Sequence, residues 1–86
     1  MDYIFLDGAR LTKEHEAQQY LAEKLAAPRH YGHNLDALYD TATSFTRALT
    51  IILYGSTDSP YARRVLCVLR DAAAENPNLC IRLWGA

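Results

Sequence analysis

The sequence lacks a long apolar run, a cysteine framework and a strong net charge. A membrane span needs about 20 consecutive apolar residues, so no transmembrane segment is predicted. The formal net charge of −1 gives no electrostatic attraction to nucleic acid or to a membrane surface. At 86 residues we expect a single domain over residues 1–86, because a second hydrophobic core has no room. The N-terminus also lacks the pattern of a secretory signal, which favours a cytoplasmic protein.

The two cysteines, Cys67 and Cys80, are too few for the disulfide framework of a small secreted domain. They lie far apart in the chain and share no motif. We therefore expect two free, mostly buried thiols and folding that does not depend on oxidation.

The motifs of common enzymes are also missing. The sequence has no glycine-rich phosphate loop and no nucleophile elbow. Neither cysteine is followed by an activating signature. Ser56 and Ser59 lie in a polar turn, where serine is an ordinary turn or cap residue. We therefore predict that the protein is not an enzyme.

Three short apolar runs predict β-strands at about residues 3–8, 49–54 and 79–84. The middle run is β-branched and uncharged, which suits a central parallel strand. The last run alternates apolar residues with Cys80 and Arg82, a pattern typical of an edge strand. Because helical segments separate the strands, parallel pairing is expected. The prediction is a two-layer α/β domain with a three-stranded parallel sheet, helices on one side, and some exposed apolar surface that includes Trp84.

Apolar residues at helical spacing predict three helices between these strands. Thr12 is the expected N-cap of the first helix, and Pro28 is expected to end it. The third helix is expected to have Pro60 at its first position and either Asp58 or Ser59 as its N-cap.

The second predicted helix follows a polar loop and has Asn34 as its expected N-cap. Its inward stripe consists of Leu38, Ala42 and Phe45, with Leu35 at the edge. A neighbouring strip on the helical wheel, here called the acidic strip, consists of Asp36, Tyr39, Asp40 and Thr43. Like charges four residues apart cost a helix a few tenths of a kcal/mol. Aromatic residues anchor interfaces and carboxylates set their electrostatics, so the strip indicates either a contact surface or ordinary solvated surface.

A metal site is an alternative interpretation of the same region. His33, Asp36 and Asp40 follow spacings of three and four residues, so they could meet on one helical face. The set offers only one imidazole beside two carboxylates, and histidines in loops are commonly polar surface. A small metal-binding or regulatory domain remains an open hypothesis.

The segment YGHNLDALYD, residues 31–40, resembles the signature of the barstar family, the intracellular inhibitors of secreted barnase-type ribonucleases. The family pattern is Tyr-Gly-x-Asn-Leu-Asp-Ala-Leu, an aromatic residue and Asp, and nine of the ten positions match. The similarity also includes the first strand with its Asp-Gly turn, the central strand and the last strand. The family has a short extra helix after its middle strand, and YGSTDSPY leaves little room for one here.

The resemblance implies a guanyl-specific ribonuclease inhibitor that blocks the enzyme's active site in a one-to-one complex. Asp40 would take the place of an RNA phosphate, Asp36 would bind a neighbouring cationic group, and Tyr39 would replace the family's usual tryptophan. The other residues implied at the contact are His30, Tyr31, Asn34, Leu35, Thr43, Ser44 and Asp71. The protein would be a bacterial, cytoplasmic monomer when free, without a cofactor, and would bind neither nucleic acid nor membrane.

The charge of this chain leaves a second partner open. The family's familiar inhibitor is clearly acidic, whereas this chain is nearly neutral. Arg29, His30 and His33 add potential positive charge beside the acidic strip, and Arg47 is expected to lie roughly along it. An immunity protein or antitoxin against a different toxin is therefore the alternative within the same class.

Overall fold

The computed structural model describes residues 2–84. Three parallel strands form one sheet in the order β1 (Asp2–Asp7), β2 (Leu49–Tyr54) and β3 (Leu79–Trp84). The helices are α1 (Glu14–Lys24), α2 (Leu35–Thr43) and α3 (Pro60–Glu75), and a 3-10 turn, Gly8–Leu11, follows β1. The predicted two-layer α/β domain with a three-stranded parallel sheet is confirmed.

The two faces of the sheet differ because side chains alternate along each strand. One face packs against the helices and contributes buried residues from all three strands: Leu6, Leu49, Ile51, Leu53 and Leu79. The opposite face, here called the open face, carries four exposed aromatic residues: Tyr3, Phe5, Tyr54 and Trp84. The ring centroids of Phe5 and Trp84 lie 6.2 Å apart. The expected exposure of apolar surface that includes Trp84 is thus confirmed, with 64% of Trp84 exposed.

Both predicted ends of the first helix are wrong. Thr12 does not cap α1, because it closes the preceding 3-10 turn with a helical backbone conformation. The N-cap is Lys13, which makes no side-chain cap hydrogen bond. The helix ends at Lys24, well before Pro28, because Ala26 adopts a left-handed conformation with φ of 50°. A left-handed residue after the last turn is a common way to end a helix.

The start of α3 follows the sequence prediction. The backbone N–H of Ala62 donates to the hydroxyl of Ser59 at 3.2 Å, and Pro60 is the first helical residue. Ser59, rather than Asp58, is therefore the N-cap. The helix packs against α2, and its Val65 and Leu69 are fully buried in the shared core.

The end of α2 is held by a side chain from the end of α3. The Nδ2 group of Asn76 donates to the carbonyl oxygens of Ala42 (3.2 Å) and Phe45 (3.0 Å). The last carbonyls of a helix have no partner within the helix, and this buried amide supplies one to Ala42. The Phe45 carbonyl also accepts from Nδ2 of Asn78 at 3.3 Å. Phe45, expected on the inward stripe of the helix, lies beyond its end at Thr43 and is half-buried.

Both cysteines are free, as predicted, but the expectation that they are mostly buried is wrong. Cys67 lies on α3 on the side turned away from the core, between the half-buried Leu66 and Val68. Cys80 lies on the open face of the edge strand β3, which no helix covers.

The connection from β2 to α3 spans residues 55–59 and contains no helix. It starts with Gly55 in a left-handed conformation, with φ of 73°. Its backbone then passes close to Gly8, where an added Cβ would lie 2.1 Å from the carbonyl oxygen of Ser56. The short extra helix that the resemblance would place after the middle strand is thus not formed in this chain.

Candidate protein-binding site

The segment of residues 26–34, here called the binding loop, and helix α2 enclose a groove of about 260 Å³. The loop contributes His30 and Tyr31 to its wall, the helix contributes Asp40, and Ser44 lines it just beyond the helix. Four residues of the predicted contact are thus brought together around one concave surface. Ser44 follows the helix directly, and its hydroxyl donates to the carbonyl oxygen of Thr41 at 2.8 Å.

The two carboxylates of the acidic strip are exposed and have no ion-pair partner among residues 2–84. Asp36 lies in the first turn of α2, where the helix dipole favours a negative charge. Asp40 lies one turn further on and has no such support. The strip therefore presents two carboxylates to solvent without a cation from the described part of the chain.

Arg47 does not lie along the acidic strip, contrary to the sequence prediction. Helix α2 ends at Thr43, so the chain leaves the helical path before it reaches Arg47. The guanidinium lies 3.4 Å from a carboxylate oxygen of Asp2, and both side chains are strongly exposed. Such a surface pair contributes little to stability, and it directs the Arg47 charge toward the start of β1.

The remaining residues of the acidic strip are half-buried and pack at its border. Tyr39 packs in part against the hydrophobic core. The hydroxyl of Thr43 donates to the carbonyl oxygens of Tyr39 (2.9 Å) and Asp40 (3.1 Å). The strip therefore has an exposed acidic centre and a half-buried, partly apolar edge.

Asn34 and Leu35 at the start of α2 both have clear structural roles. The side-chain oxygen of Asn34 accepts a hydrogen bond from the backbone N–H of Ala37 at 2.7 Å, so the predicted N-cap is confirmed. Its Nδ2 group also donates to the carbonyl oxygen of Gly32 at 3.3 Å. Leu35 is half-buried against the core.

Asp71 lies on a different helix from the predicted contact residues of α2. It is exposed on α3, which packs against α2, but it does not line the groove. The structure therefore leaves Asp71 as a separate acidic position on the neighbouring helix.

The binding loop is braced by contacts of His33 and Tyr31. His33 has a left-handed backbone, with φ of 53°, an uncommon conformation for a residue with a side chain. Its Nδ1 lies 2.9 Å from the carbonyl oxygen of Tyr31, so this nitrogen carries the proton and donates. The two rings also meet edge to face, with centroids 5.1 Å apart. The backbone N–H of Tyr31 donates to the carbonyl oxygen of Pro28 at 2.9 Å.

A buried hydrogen-bonded chain lies beneath the loop, and sequence reasoning missed two of its members. The hydroxyl of Tyr31 donates to Oε1 of Gln18 at 2.5 Å, and Nε2 of Gln18 donates to the hydroxyl of Tyr61 at 2.8 Å. Burial, and secondarily the nearby Tyr61, raise the pKa of Tyr31 to about 12. The one sequence signal is that Gln18 stands three residues before Leu21, on the inward stripe of α1, where an apolar residue is expected.

The alternative metal site is not assembled. Among residues 2–84, no group of three or more histidine, cysteine or acidic side chains is placed to hold a metal ion. The Nδ1 of His33 is directed at the carbonyl oxygen of Tyr31 instead of toward Asp36 and Asp40. The same part of the chain also contains no helix with the length and apolarity that a membrane crossing requires.

Comparison with known protein families gives a match over residues 1–83 to the family described as Barstar (barnase inhibitor). The match includes the binding loop, α2 and all but the last residue of β3. The family resemblance inferred from the segment 31–40 is therefore confirmed.

Proposed function

Because the chain belongs to the barstar family of barnase inhibitors, we propose that it inhibits a secreted, guanyl-specific bacterial ribonuclease by covering the enzyme's active site. The binding loop and α2 form the contact surface of a one-to-one complex. The chain performs no catalysis of its own. It acts in the bacterial cytoplasm, as a monomer until it meets the enzyme.

The observation that carries this proposal is the position of Asp40, exposed and unpaired on the wall of the groove. A ribonuclease holds RNA phosphates with cationic side chains, and a carboxylate can take the place of a phosphate oxygen pair. Charge-assisted, bidentate hydrogen bonds to arginine are among the strongest that proteins form. The barnase–barstar pair is itself a measured example of coupling between such charges. Asp40 is therefore the central anchor, and Asp36 binds a neighbouring cation.

The other contact residues surround this acidic centre. Tyr39 supplies an aromatic edge, as is common in interfaces. Asp71 on α3 is a second, more distant acidic contact. The rest of the proposed contact consists of His30, Tyr31, Asn34, Leu35, Thr43 and Ser44.

A second candidate within the same class is an immunity protein against another toxin. The binding loop carries Arg29, His30 and His33 beside the acidic strip, and the whole chain has a net charge of only −1. A strongly cationic enzyme is attracted less by this surface than by a clearly acidic one. A less basic toxin would be the better electrostatic match.

The test is a titration of barnase with the purified chain while RNA cleavage is followed. We expect the activity to fall until one inhibitor is present per enzyme. We also expect guanosine monophosphate to compete with the inhibitor. Asp40→Asn keeps the shape of the side chain and removes its charge, so it should weaken inhibition by orders of magnitude. Asp58→Asn is the matched control, because Asp58 is exposed but does not line the groove.

The outcomes separate the candidates. If the chain fails to inhibit barnase but binds another secreted toxin through Asp40, the immunity interpretation replaces the first proposal. If Asp40→Asn and Asp58→Asn inhibit equally well, Asp40 is not a phosphate mimic.

A further inference from the structure

The binding loop is tied to the rest of the protein mainly through one side chain. Among residues 26–34, Tyr31 is the buried residue; Ala27 is half-buried and the others are exposed. The loop has no regular secondary structure of its own. The position of the loop over the core therefore depends on where the Tyr31 ring and its hydroxyl are held.

Gln18 holds that hydroxyl and also contacts a second buried tyrosine. Its amide oxygen accepts from Tyr31 of the binding loop, and its amide nitrogen donates to Tyr61 of α3. Gln18 itself lies on α1 and is only 1% exposed. One buried amide thus joins α1, α3 and the loop.

The arrangement also controls the shape of the groove. His30 and Gly32, the neighbours of Tyr31 in the chain, both line the groove. A shift of the Tyr31 ring therefore moves the loop wall relative to Asp40 on the opposite wall. Since a buried polar group without its partner is costly, the bonded position of the ring is strongly preferred.

We propose that Gln18 is the positioning residue of the binding loop, fixing the groove wall by bridging Tyr31 to Tyr61. Gln18 is buried and lies behind the surface offered to a partner. It acts through Tyr31. The effect on inhibition rests on the proposed function, whereas the effect on the loop is a property of the free protein.

The test in the free protein is amide hydrogen exchange, followed by NMR, at the backbone N–H of Tyr31. Tyr61→Phe removes the far partner of Gln18 without changing any loop residue. We expect the Tyr31 amide to exchange about fivefold faster or more, as the loss of one buried hydrogen bond implies. The matched control is Tyr20→Phe. Tyr20 is also a buried tyrosine and lies on α1, the helix of Gln18. Its hydroxyl accepts a hydrogen bond from the backbone N–H of Asp7 at 2.9 Å.

The control variant removes a comparable hydrogen bond that does not involve the loop, so it should leave exchange at Tyr31 unchanged once overall stability is taken into account. Equal acceleration in Tyr61→Phe and Tyr20→Phe would mean that the loop responds only to general destabilisation. That result would overturn the positioning role, whatever the inhibition data show.

The test in the complex is inhibition of barnase by Gln18→Met, which replaces the amide by an apolar chain of similar length. We expect inhibition about tenfold weaker or more, because two buried hydroxyls lose their partner. Inhibition by Tyr20→Phe should stay within about twofold of inhibition by the parent, because the hydrogen bond that this variant removes does not involve the loop. If Gln18→Met does not fold, Tyr61→Phe serves in its place, with a smaller loss of affinity expected.

The failure of this proposal differs from the failure of the proposed function. Faster loop exchange together with unchanged inhibition in every variant, including Asp40→Asn, supports the positioning role and refutes the proposed contact surface. Loss of inhibition in Asp40→Asn with no change of loop exchange in Tyr61→Phe refutes the positioning role and supports the contact surface.

Discussion

Two polar regions of the molecule differ in how their polar groups are satisfied. One is buried beneath the binding loop, and the other is exposed on α2. Beneath the loop, the hydroxyls of Tyr31 and Tyr61 are buried and bonded to one amide, that of Gln18. On the outer surface, the carboxylates of Asp36 and Asp40 are exposed and have no ion-pair partner in residues 2–84.

Under the proposed function, the difference separates groups that serve the fold from groups that serve a partner. A buried polar group must find its partner within the chain, because leaving it unsatisfied costs free energy. An exposed carboxylate is solvated and needs no partner for folding. Two carboxylates one helical turn apart even repel each other slightly. The two carboxylates thus cost the free protein a little, and under the proposed function they act in the complex.

The largest expected effect on folding comes from the inward side of α2. Leu38 is fully buried in the core, so Leu38→Ala should reduce the free energy of unfolding by about 2–5 kcal/mol. Urea denaturation measures this change. Asp36→Ala, two residues away on the exposed side, should leave the free energy of unfolding nearly unchanged. Similar losses for both variants would show that the two sides of the helix are not separated as described.

The next effect concerns the hydroxyl of Tyr31. Tyr31→Phe leaves the Gln18 oxygen buried without a donor and should cost about 1–3 kcal/mol of stability at neutral pH. The parent should also lose stability as the pH rises from 10 to 12. The pKa of Tyr31 is raised from 10.0 to about 12 in the folded protein, so the unfolded chain releases its proton first and deprotonation favours unfolding.

Denaturation of both proteins across this alkaline range measures that dependence. Tyr31→Phe should lose less stability than the parent between pH 10 and 12. Parallel losses in the two proteins would show that other groups, and not Tyr31, control unfolding in alkali.

A smaller effect is expected at the N-cap of α2. Asn34→Ala removes the acceptor for the Ala37 backbone N–H and should cost about 1 kcal/mol of stability. Asn34→Ser keeps a capping oxygen and should recover most of the loss. Because the cap also positions the first turn that carries Asp36, inhibition by the alanine variant should weaken slightly. Thermal unfolding of the two variants decides whether the cap contributes as expected.

Features fixed by local chemistry were predictable from the sequence. The parallel sheet follows from apolar runs separated by helical segments, and the caps of α2 and α3 follow from Asn34 and Ser59. The prediction of Thr12 as the N-cap of α1 was wrong because the sequence does not reveal the 3-10 turn that precedes this helix. The predicted burial of the two cysteines was wrong because it depends on which faces of the sheet and helices are covered in the fold.

Features that join distant parts of the chain were not predictable. Gln18 is separated by 13 residues from Tyr31 and by 43 from Tyr61. The hydrogen bond from the side chain of Asn76 to the carbonyl oxygen of Ala42 joins residues 34 positions apart. No local pattern identifies such partners, because the tertiary fold alone brings them together.

The most direct test of the central claim compares Asp40→Ala with the parent in two measurements on the same preparation. Calorimetric melting should show an unchanged or slightly higher melting temperature, because the variant relieves the repulsion from Asp36. Titration against barnase should show inhibition weakened by orders of magnitude, because the cationic groups of the enzyme lose their central partner. A clear drop in melting temperature, or inhibition equal to that of the parent, would contradict the claim that this carboxylate serves the partner and not the fold.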